Sequence, residues 1–239
     1  MIPNKILLRN GKKFFWESKD LHTQFGVIKE DDLKNAENKV LSHTGKEFLV
    51  LNASFYDKLQ KISRGPQAII EKDIASIIAY TAPNNESKIV EIGTGSGKLT
   101  CFLAHLFPKA EIITYEKNKE NIIIAEKNLK MFNIKNVSIK HSDIFEHFNE
   151  TDVDLIIIDI PNADRALKNI SLSVKNGGYI VAYLPNINQV DSFIRSSDSL
   201  IIDKIIETIE REWLIEDKKM RPKSPGILHT AFLAFVRKL

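Results

Sequence analysis

The chain has 239 residues, 43% hydrophobic and 27% charged, the make-up of a globular protein long enough for one large domain and a small one. A single cysteine, Cys101, excludes an internal disulfide and fits a reducing, cytoplasmic setting. No apolar run reaches membrane-spanning length, and the N-terminus does not read as a signal peptide. The net charge of +3 is uneven: residues 1–65 hold 12 Lys/Arg against 8 Asp/Glu, and residues 66–239 hold 22 against 23. The basic excess therefore precedes the motifs described below. Nucleic acid is one partner for such a surface, and a solvated lysine-rich face is the other reading.

In chain order, Ile6-Leu7-Leu8, Lys13-Phe14-Phe15-Trp16 and Glu47-Phe48-Leu49-Val50-Leu51 read as strands punctuated by the turn signals Asn10-Gly11 and Thr44-Gly45. They predict a small β domain over residues 1–60, with a polar, turn-like middle from Asp20 to Asn38. His22 and Asp31 lie nine residues apart, which matches no common zinc spacing, so no metal is expected. Residues 61–87 form a linker and leading helix: Arg64-Gly65-Pro66-Gln67 breaks the chain, and Lys72-Asp73 opens a helix with Ile74, Ile77 and Ile78 on its apolar stripe, ending near Pro83.

The third segment, residues 88–239, opens on Lys88-Ile89-Val90-Glu91-Ile92-Gly93-Thr94-Gly95-Ser96-Gly97-Lys98-Leu99-Thr100. A short apolar strand runs into three alternating glycines and then a helix with Leu99, Phe102, Leu103 and Leu106 at helical spacing. Glycines let backbone N–H groups approach a ligand closely. A Walker loop is excluded, because Ile92 stands at its first glycine and Leu99 follows the lysine. The dinucleotide fingerprint is excluded by Lys98 at its third glycine. The remaining pattern, Glu-x-Gly-x-Gly-x-Gly, resembles the first motif of class I methyltransferases that use S-adenosylmethionine (AdoMet). On that reading Glu91 faces the ligand's cationic end. Glu116 closes a second strand, Glu111–Glu116, roughly 20 residues on, where an acid can bond ribose hydroxyls.

A helix is expected from Asn118 to Met131, then a strand from Val137, with Asp143 either bonding the adenine amino group or capping the following turn. Asp154-Leu155-Ile156-Ile157-Ile158-Asp159 is the most strand-like run and ends in Asp159-Ile160-Pro161-Asn162, where an open parallel sheet binds its ligands. Tyr179–Tyr183 predicts a fifth strand entered through Gly177-Gly178. Residues 189–199 predict a helix, and residues 200–213 and 227–236 a closing antiparallel pair. Between that pair, residues 218–226 carry Lys218, Lys219, Arg221 and Lys223 without an acid. That stretch reads either as a phosphate-holding loop or as a solvated one.

Several pieces together resemble the tRNA (adenine-N1)-methyltransferase family over nearly the whole chain. They are His22-Thr23 with Gly26-Val27-Ile28, Asp31-Asp32-Leu33, Gly45 to Leu51, Arg64-Gly65-Pro66-Gln67, Lys72-Asp73, the Glu91–Gly97 loop, Tyr115-Glu116, Glu212-Trp213, Arg221-Pro222 and His229-Thr230-Ala231-Phe232-Leu233. The resemblance implies an α/β class I Rossmann-like fold with a seven-stranded mixed sheet and a small N-terminal β domain. It implies a homotetramer that methylates adenine N1 in the T-loop of tRNA, and in archaeal members the neighbouring purine as well. The cofactor candidates are Gln67, Glu91, Gly93, Thr94, Gly95, Ser96, Gly97, Leu99, Glu116, Asp143 and Asp159, with Asp159 also catalytic. The tRNA candidates are Arg64, Lys72, Pro161, Arg221, Lys223 and His229. Two departures stand out: Ile70-Glu71 replaces the Tyr-Pro of bacterial relatives, and Asn162-Ala163-Asp164 replaces their acid, proline and aromatic. A methyltransferase acting on a small molecule or a protein carboxylate, and a non-catalytic tRNA-binding subunit, are the alternative readings.

Overall fold

The computed structural model describes residues 3–63, 68–198, 200–216, 219–223 and 229–239. They form two compact units, one built on Met1–Ile62 and the other on Ser63–Ile215 and Lys219–Leu239.

The first unit contains β1 (Lys5–Arg9), β2 (Lys12–Trp16), β3 (Leu21–Thr23), β4 (Gly26–Ile28), α1 (Glu30–Asn35), β5 (Lys39–Leu41), β6 (Glu47–Asn52) and α2 (Phe55–Leu59). Asn10 and Gly11 both take positive φ between β1 and β2, the backbone a tight hairpin turn requires. The sheet order is β2-β1-β6-β5, all antiparallel, over a core of Leu7, Trp16, Ile28, Leu33, Phe48 and Val50. The stretch from Asp20 to Asn38 is not a simple turn: it folds as the β3–β4 hairpin and α1. Each of these elements is too short to show a period, and burial of Ile28 and Leu33 anchors them instead. Asp20 ties the start to the end of the hairpin by accepting from the Glu30 amide (2.9 Å) and Lys29 Nζ (2.8 Å).

The second unit alternates: α3 (Glu71–Thr81), β7 (Lys88–Ile92), α4 (Lys98–Leu106), β8 (Glu111–Glu116), α5 (Lys119–Met131), β9 (Val137–His141), β10 (Val153–Ile158), α6 (Ala163–Ile170), β11 (Val174–Leu184), α7 (Ile187–Arg195), β12 (Leu200–Glu207), β13 (Trp213–Glu216), β14 (Lys219–Pro222) and β15 (Phe232–Lys238). The seven-stranded sheet runs β12-β15-β11-β10-β7-β8-β9, with β15 antiparallel to both neighbours and the five central and far strands parallel. From β7 the chain first builds outward through β8 and β9, then returns to add β10 and β11 on the other side. The gap between β7 and β10 is therefore the topological switch point. Ile156 and Ile158 face one apolar layer, and Leu155 and Ile157 the other. Burial on both faces is why this strand is a continuous apolar run.

Several expectations need correction. β11 begins at Val174, not after the glycines: Gly177, at φ +80°, lies in a bulge where the pairing jumps from Val153–Val174 to Leu155–Tyr179. Arg237 fastens that bulge by donating to the Gly177 carbonyl at 2.7 Å. The strand expected over residues 200–213 stops at Glu207, which pairs with Phe232, the first residue of β15. Trp213–Glu216 instead pairs with Lys219–Pro222, so the described part of the basic stretch is a strand, not a loop. α6 was not anticipated, although Ala163, Ala166, Leu167 and Ile170 carry a helical apolar stripe. α7 starts at Ile187, two residues before the expected position, because the Asn186 side chain caps it through the Gln189 amide (3.0 Å).

The glycine loop joins β7 to α4 at the switch point. A Cβ on Gly93, at φ +100°, would lie 2.3 Å from the Asp159 carbonyl oxygen, whereas one on Gly95, at φ +53°, would meet nothing within 4 Å. Gly93→Ala is therefore expected to destabilise the protein by about 2 kcal/mol or more, through backbone strain and overlap. Gly95→Ala should cost only about 1 kcal/mol, the penalty of the left-handed backbone. Urea denaturation of the two variants checks the order.

Candidate active site at the sheet switch point

Beyond the carboxyl ends of β7, β8, β9 and β10 lies a cavity of about 410 Å³, lined among others by Gly93, Gly95, Glu116, Asp143, Asp159 and Pro161. Its size falls in the range of roughly 300–1,000 Å³ typical of small-molecule and cofactor sites. Ile92, Tyr115, Ile144, Phe145 and Ile160 contribute apolar surface, suited to a flat heteroaromatic ring.

Glu116 is buried at the end of β8, where Oε2 accepts from the Gly95 amide and Oε1 from the Asn118 amide, both at 2.9 Å. A carboxylate has about four lone-pair sites. Two are thus left for a ligand's hydroxyls, while one of the others holds the glycine loop and the second the turn into α5. Asp143 lines the cavity, and its Oδ1 accepts from the Phe145 amide at 3.0 Å, closing a turn.

The remaining loop candidates brace the loop from below. The Thr94 hydroxyl bonds that of Thr114 at 2.6 Å, and the Ser96 carbonyl accepts from Asn128 Nδ2 at 2.8 Å. Gly97, at φ +74°, starts α4 where a Cβ would press on Ala125, and Leu99 is buried in the core beneath. Thr94, Ser96 and Leu99 border a void of about 20 Å³ under the loop, alongside Ala68 and Ile69.

Glu91 departs from its expected role. It is fully buried, it takes a hydrogen bond from the Thr100 hydroxyl, and it also borders the small void rather than the open cavity. Burial pushes its carboxyl up to about 8, against the opposing hydrogen bonds of Thr100 and Thr114 and with help from the nearby Asp159 and Glu116 charges. At neutral pH it is mostly protonated, so in this state it presents no carboxylate to a cationic ligand.

Asp159 follows β10 on the far side of the switch point, and its amide donates to the Ile92 carbonyl at 2.8 Å. Its carboxylate has no hydrogen-bond or ion-pair partner among the described residues, and burial raises its pKa to about 6. A desolvated carboxylate with open lone pairs, facing a cavity, is a reactive-site feature. Two acids, Glu116 and Asp159, thus line the cavity, which favours a ligand carrying positive charge.

The tRNA candidates separate. Pro161 is exposed at the cavity rim. Lys72 is not placed for a phosphate: its side chain is 6% exposed, and Nζ donates to Asp73, Thr208 and Thr230. His229 bonds Glu207 through Nδ1 and the Pro185 carbonyl through Nε2, so both ring nitrogens are engaged in a clamp at the ends of β11 and β12. Two acceptor-only partners require both nitrogens to be protonated, in keeping with its raised pKa, whose first cause is the Pro185 carbonyl. Lys223 is exposed but paired with Glu212, and Arg221 is exposed on β14. Arg64 and Gln67 lie outside the described residues. The sequence offered no signal for Tyr183, Thr208 and Thr230 as neighbours of this site, because only the sheet edge brings them together.

The sequence profile of the family described as the tRNA methyltransferase complex GCD14 subunit matches residues 59–231. The chain belongs to this family. It is 29% identical, over 99% of its length and 95% of the relative's, to the tRNA (adenine(57)-N(1)/adenine(58)-N(1))-methyltransferase TrmI of Methanocaldococcus jannaschii. Among solved structures it superposes on the tRNA (m1A58) methyltransferase TrmI of Aquifex aeolicus with a TM-score of 0.86, at 27% identity, covering 98% of this chain and 96% of that one. A SAM-dependent O-methyltransferase of Thermotoga maritima gives 0.89 at 25% identity, covering 100% and 94%. The large unit is therefore a class I Rossmann-like, AdoMet-dependent methyltransferase domain with a small strand-rich unit before it. The cavity fits that cofactor on its own features: open space at Gly95, the Glu116 carboxylate in its lining and apolar walls.

A pH test follows from Glu91. Its carboxyl is raised from 4.5 to about 8 on folding, so its contribution to stability is present in full below pH 4.5 and is lost as pH rises to about 8. Glu91→Gln keeps an acceptor for Thr100 but has no proton to lose. Its stability relative to the parent should therefore increase between those pH values and then level off, by an amount on the order of a few kcal/mol. Urea denaturation of both proteins across pH checks this.

Proposed function

We propose that this protein transfers the methyl group of AdoMet to N1 of an adenine in the T-loop of tRNA. The single observation that carries the assignment of roles is the Asp159 carboxylate, desolvated beside the glycine loop and without a partner among the described residues, in a chain matched end to end by relatives named for this reaction. Those names specify adenine 58, and in the Methanocaldococcus protein adenine 57 as well.

Bound AdoMet supplies an electrophilic methyl group. Adenine N1 carries an in-plane lone pair and is largely unprotonated at neutral pH, so no side chain has to act as a strong base. The protein has three tasks instead: to receive a base drawn out of its stack, to hold N1 in line for attack, and to stabilise the cationic product ring. Asp159 serves the last two. Its carboxylate accepts from the exocyclic N6 amino group, which aligns the ring, and its negative charge offsets the positive charge that develops there. Guanine presents an O6 acceptor at that place and is repelled. Glu116 and Asp143 hold the ribose and adenine of the cofactor, and the glycine loop holds the rest.

The basic excess of residues 1–65 supports an RNA-binding role for the first unit, and the family resemblance supports a homotetramer acting in the cytoplasm. Among the described residues no helix is long and apolar enough to cross a membrane. A silent, tRNA-binding subunit is disfavoured because Gly93, Gly95, Gly97, Glu116 and Asp159 are all present at the cavity or its loop.

Incubation with unmodified tRNA transcript and labelled AdoMet, followed by nucleoside mass spectrometry and mapping, should place label in 1-methyladenosine of the T-loop. Label in a protein carboxylate or a metabolite instead would replace this reading by the alternative one. Asp159→Ala is expected to keep AdoMet affinity and lower the single-turnover rate about 100-fold or more, the scale of lost transition-state electrostatics. Because the ionised carboxylate is the active form, the parent's rate should rise with pH through about 6, and Asp159→Asn should lack that rise.

A further inference from the structure

Two sequence motifs that the cofactor pocket leaves unexplained, Lys72-Asp73 and His229-Thr230, meet in one buried cluster. Asp73, in the first turn of α3, is fully buried and does not cap its own helix. Its Oδ1 takes Lys72 Nζ (2.7 Å) and the Thr208 hydroxyl, and its Oδ2 takes the Thr230 hydroxyl (2.7 Å). Lys72 Nζ also donates to Thr208 (3.0 Å) and Thr230 (2.7 Å). All three ammonium protons and both threonine protons are thereby used. Thr230 has one lone pair left, and the Tyr183 side chain, on the strand paired with β15, lies beside it.

The cluster joins four elements at one sheet edge. Thr208 follows β12, Thr230 precedes β15, Tyr183 is near the end of β11, and β10, which ends in Asp159, is the next strand. Tyr183 is 7% exposed and lies close enough to feel the charges of both Asp73 and Asp159. A buried ion pair adds little net stability over well-packed apolar groups, because desolvation offsets its attraction. What a fully satisfied pair does supply is a unique arrangement of the groups bonded to it.

We propose that the Lys72–Asp73 pair is a positioning device for methyl transfer, fixing Thr208 and Thr230 and, through Thr230, the Tyr183 hydroxyl, as a rigid wall beside Asp159 on the side where the target purine enters. This rests on the tRNA methyltransferase reading above. None of the five is a catalytic residue in this scheme, and Lys72 acts from the interior.

The test compares Thr230→Val, Thr230→Ser, Tyr183→Phe and the Thr230→Val/Tyr183→Phe double variant. Each is measured for AdoMet affinity, KM for tRNA, single-turnover rate and thermal midpoint. Thr230→Val should slow single turnover by roughly ten- to a hundredfold, the scale of a small misplacement of reacting groups, with AdoMet affinity and KM nearly unchanged. Thr230→Ser should restore the rate. Tyr183→Phe should show the same loss, and the double variant no further loss, because both changes break one path. The paired replacement Lys72→Met/Asp73→Leu should fold and bind AdoMet yet transfer slowly. A lower thermal midpoint with unchanged transfer in Thr230→Val, or additive losses in the double variant, would overturn the device alone. No methyl transfer to tRNA by the unmodified protein would overturn the underlying reading, and the device with it.

Discussion

The close approach of two backbones at the switch point governs the site. Gly93 and Asp159 belong to neighbouring strands that part company there, and a side chain at position 93 would run into the Asp159 carbonyl. Because glycine leaves that space open, the loop after β7 can bend over the sheet edge and the Asp159 amide can still bond the Ile92 carbonyl. Loop shape and carboxylate position are thus set by the same contact. Glu116 completes the arrangement from the other side by accepting the Gly95 amide, so the loop is held between β8 and β10.

Charge is distributed around that contact in a graded way. Glu116 is stabilised by two backbone donors, Asp159 is desolvated and without a partner among the described residues, and burial raises the Glu91 carboxyl to about 8. Three acids at one place would repel one another if all were ionised without partners. Their different surroundings resolve the conflict, and leave the charge where a cationic ring would develop.

The lysine that by motif alone resembles an RNA contact lies inside the protein instead, and the histidine of the C-terminal motif is held at both nitrogens. Both belong to the edge formed by β11, β12 and β15, where the strands entering and leaving the sheet are tied together. The cavity itself is lined by the glycine loop and the ends of β8 to β10.

The sequence alone determined the alternating order of strands and helices in the large unit, the glycine loop, and the acids Glu116 and Asp159 at strand ends. Each of these is a local pattern: an apolar run, a spacing of glycines, a charge after a strand. Only the tertiary structure decided that Glu91 is buried with a raised pKa, that Lys72 pairs inward with Asp73, and that Thr208 and Thr230 gather on that pair. It also decided that β11 absorbs its glycines in a bulge and that the edge strand ends at Glu207. The reason is physical. Burial, and the partners that raise a pKa or consume an ammonium's protons, come from residues up to 158 positions apart, and no local spacing records them.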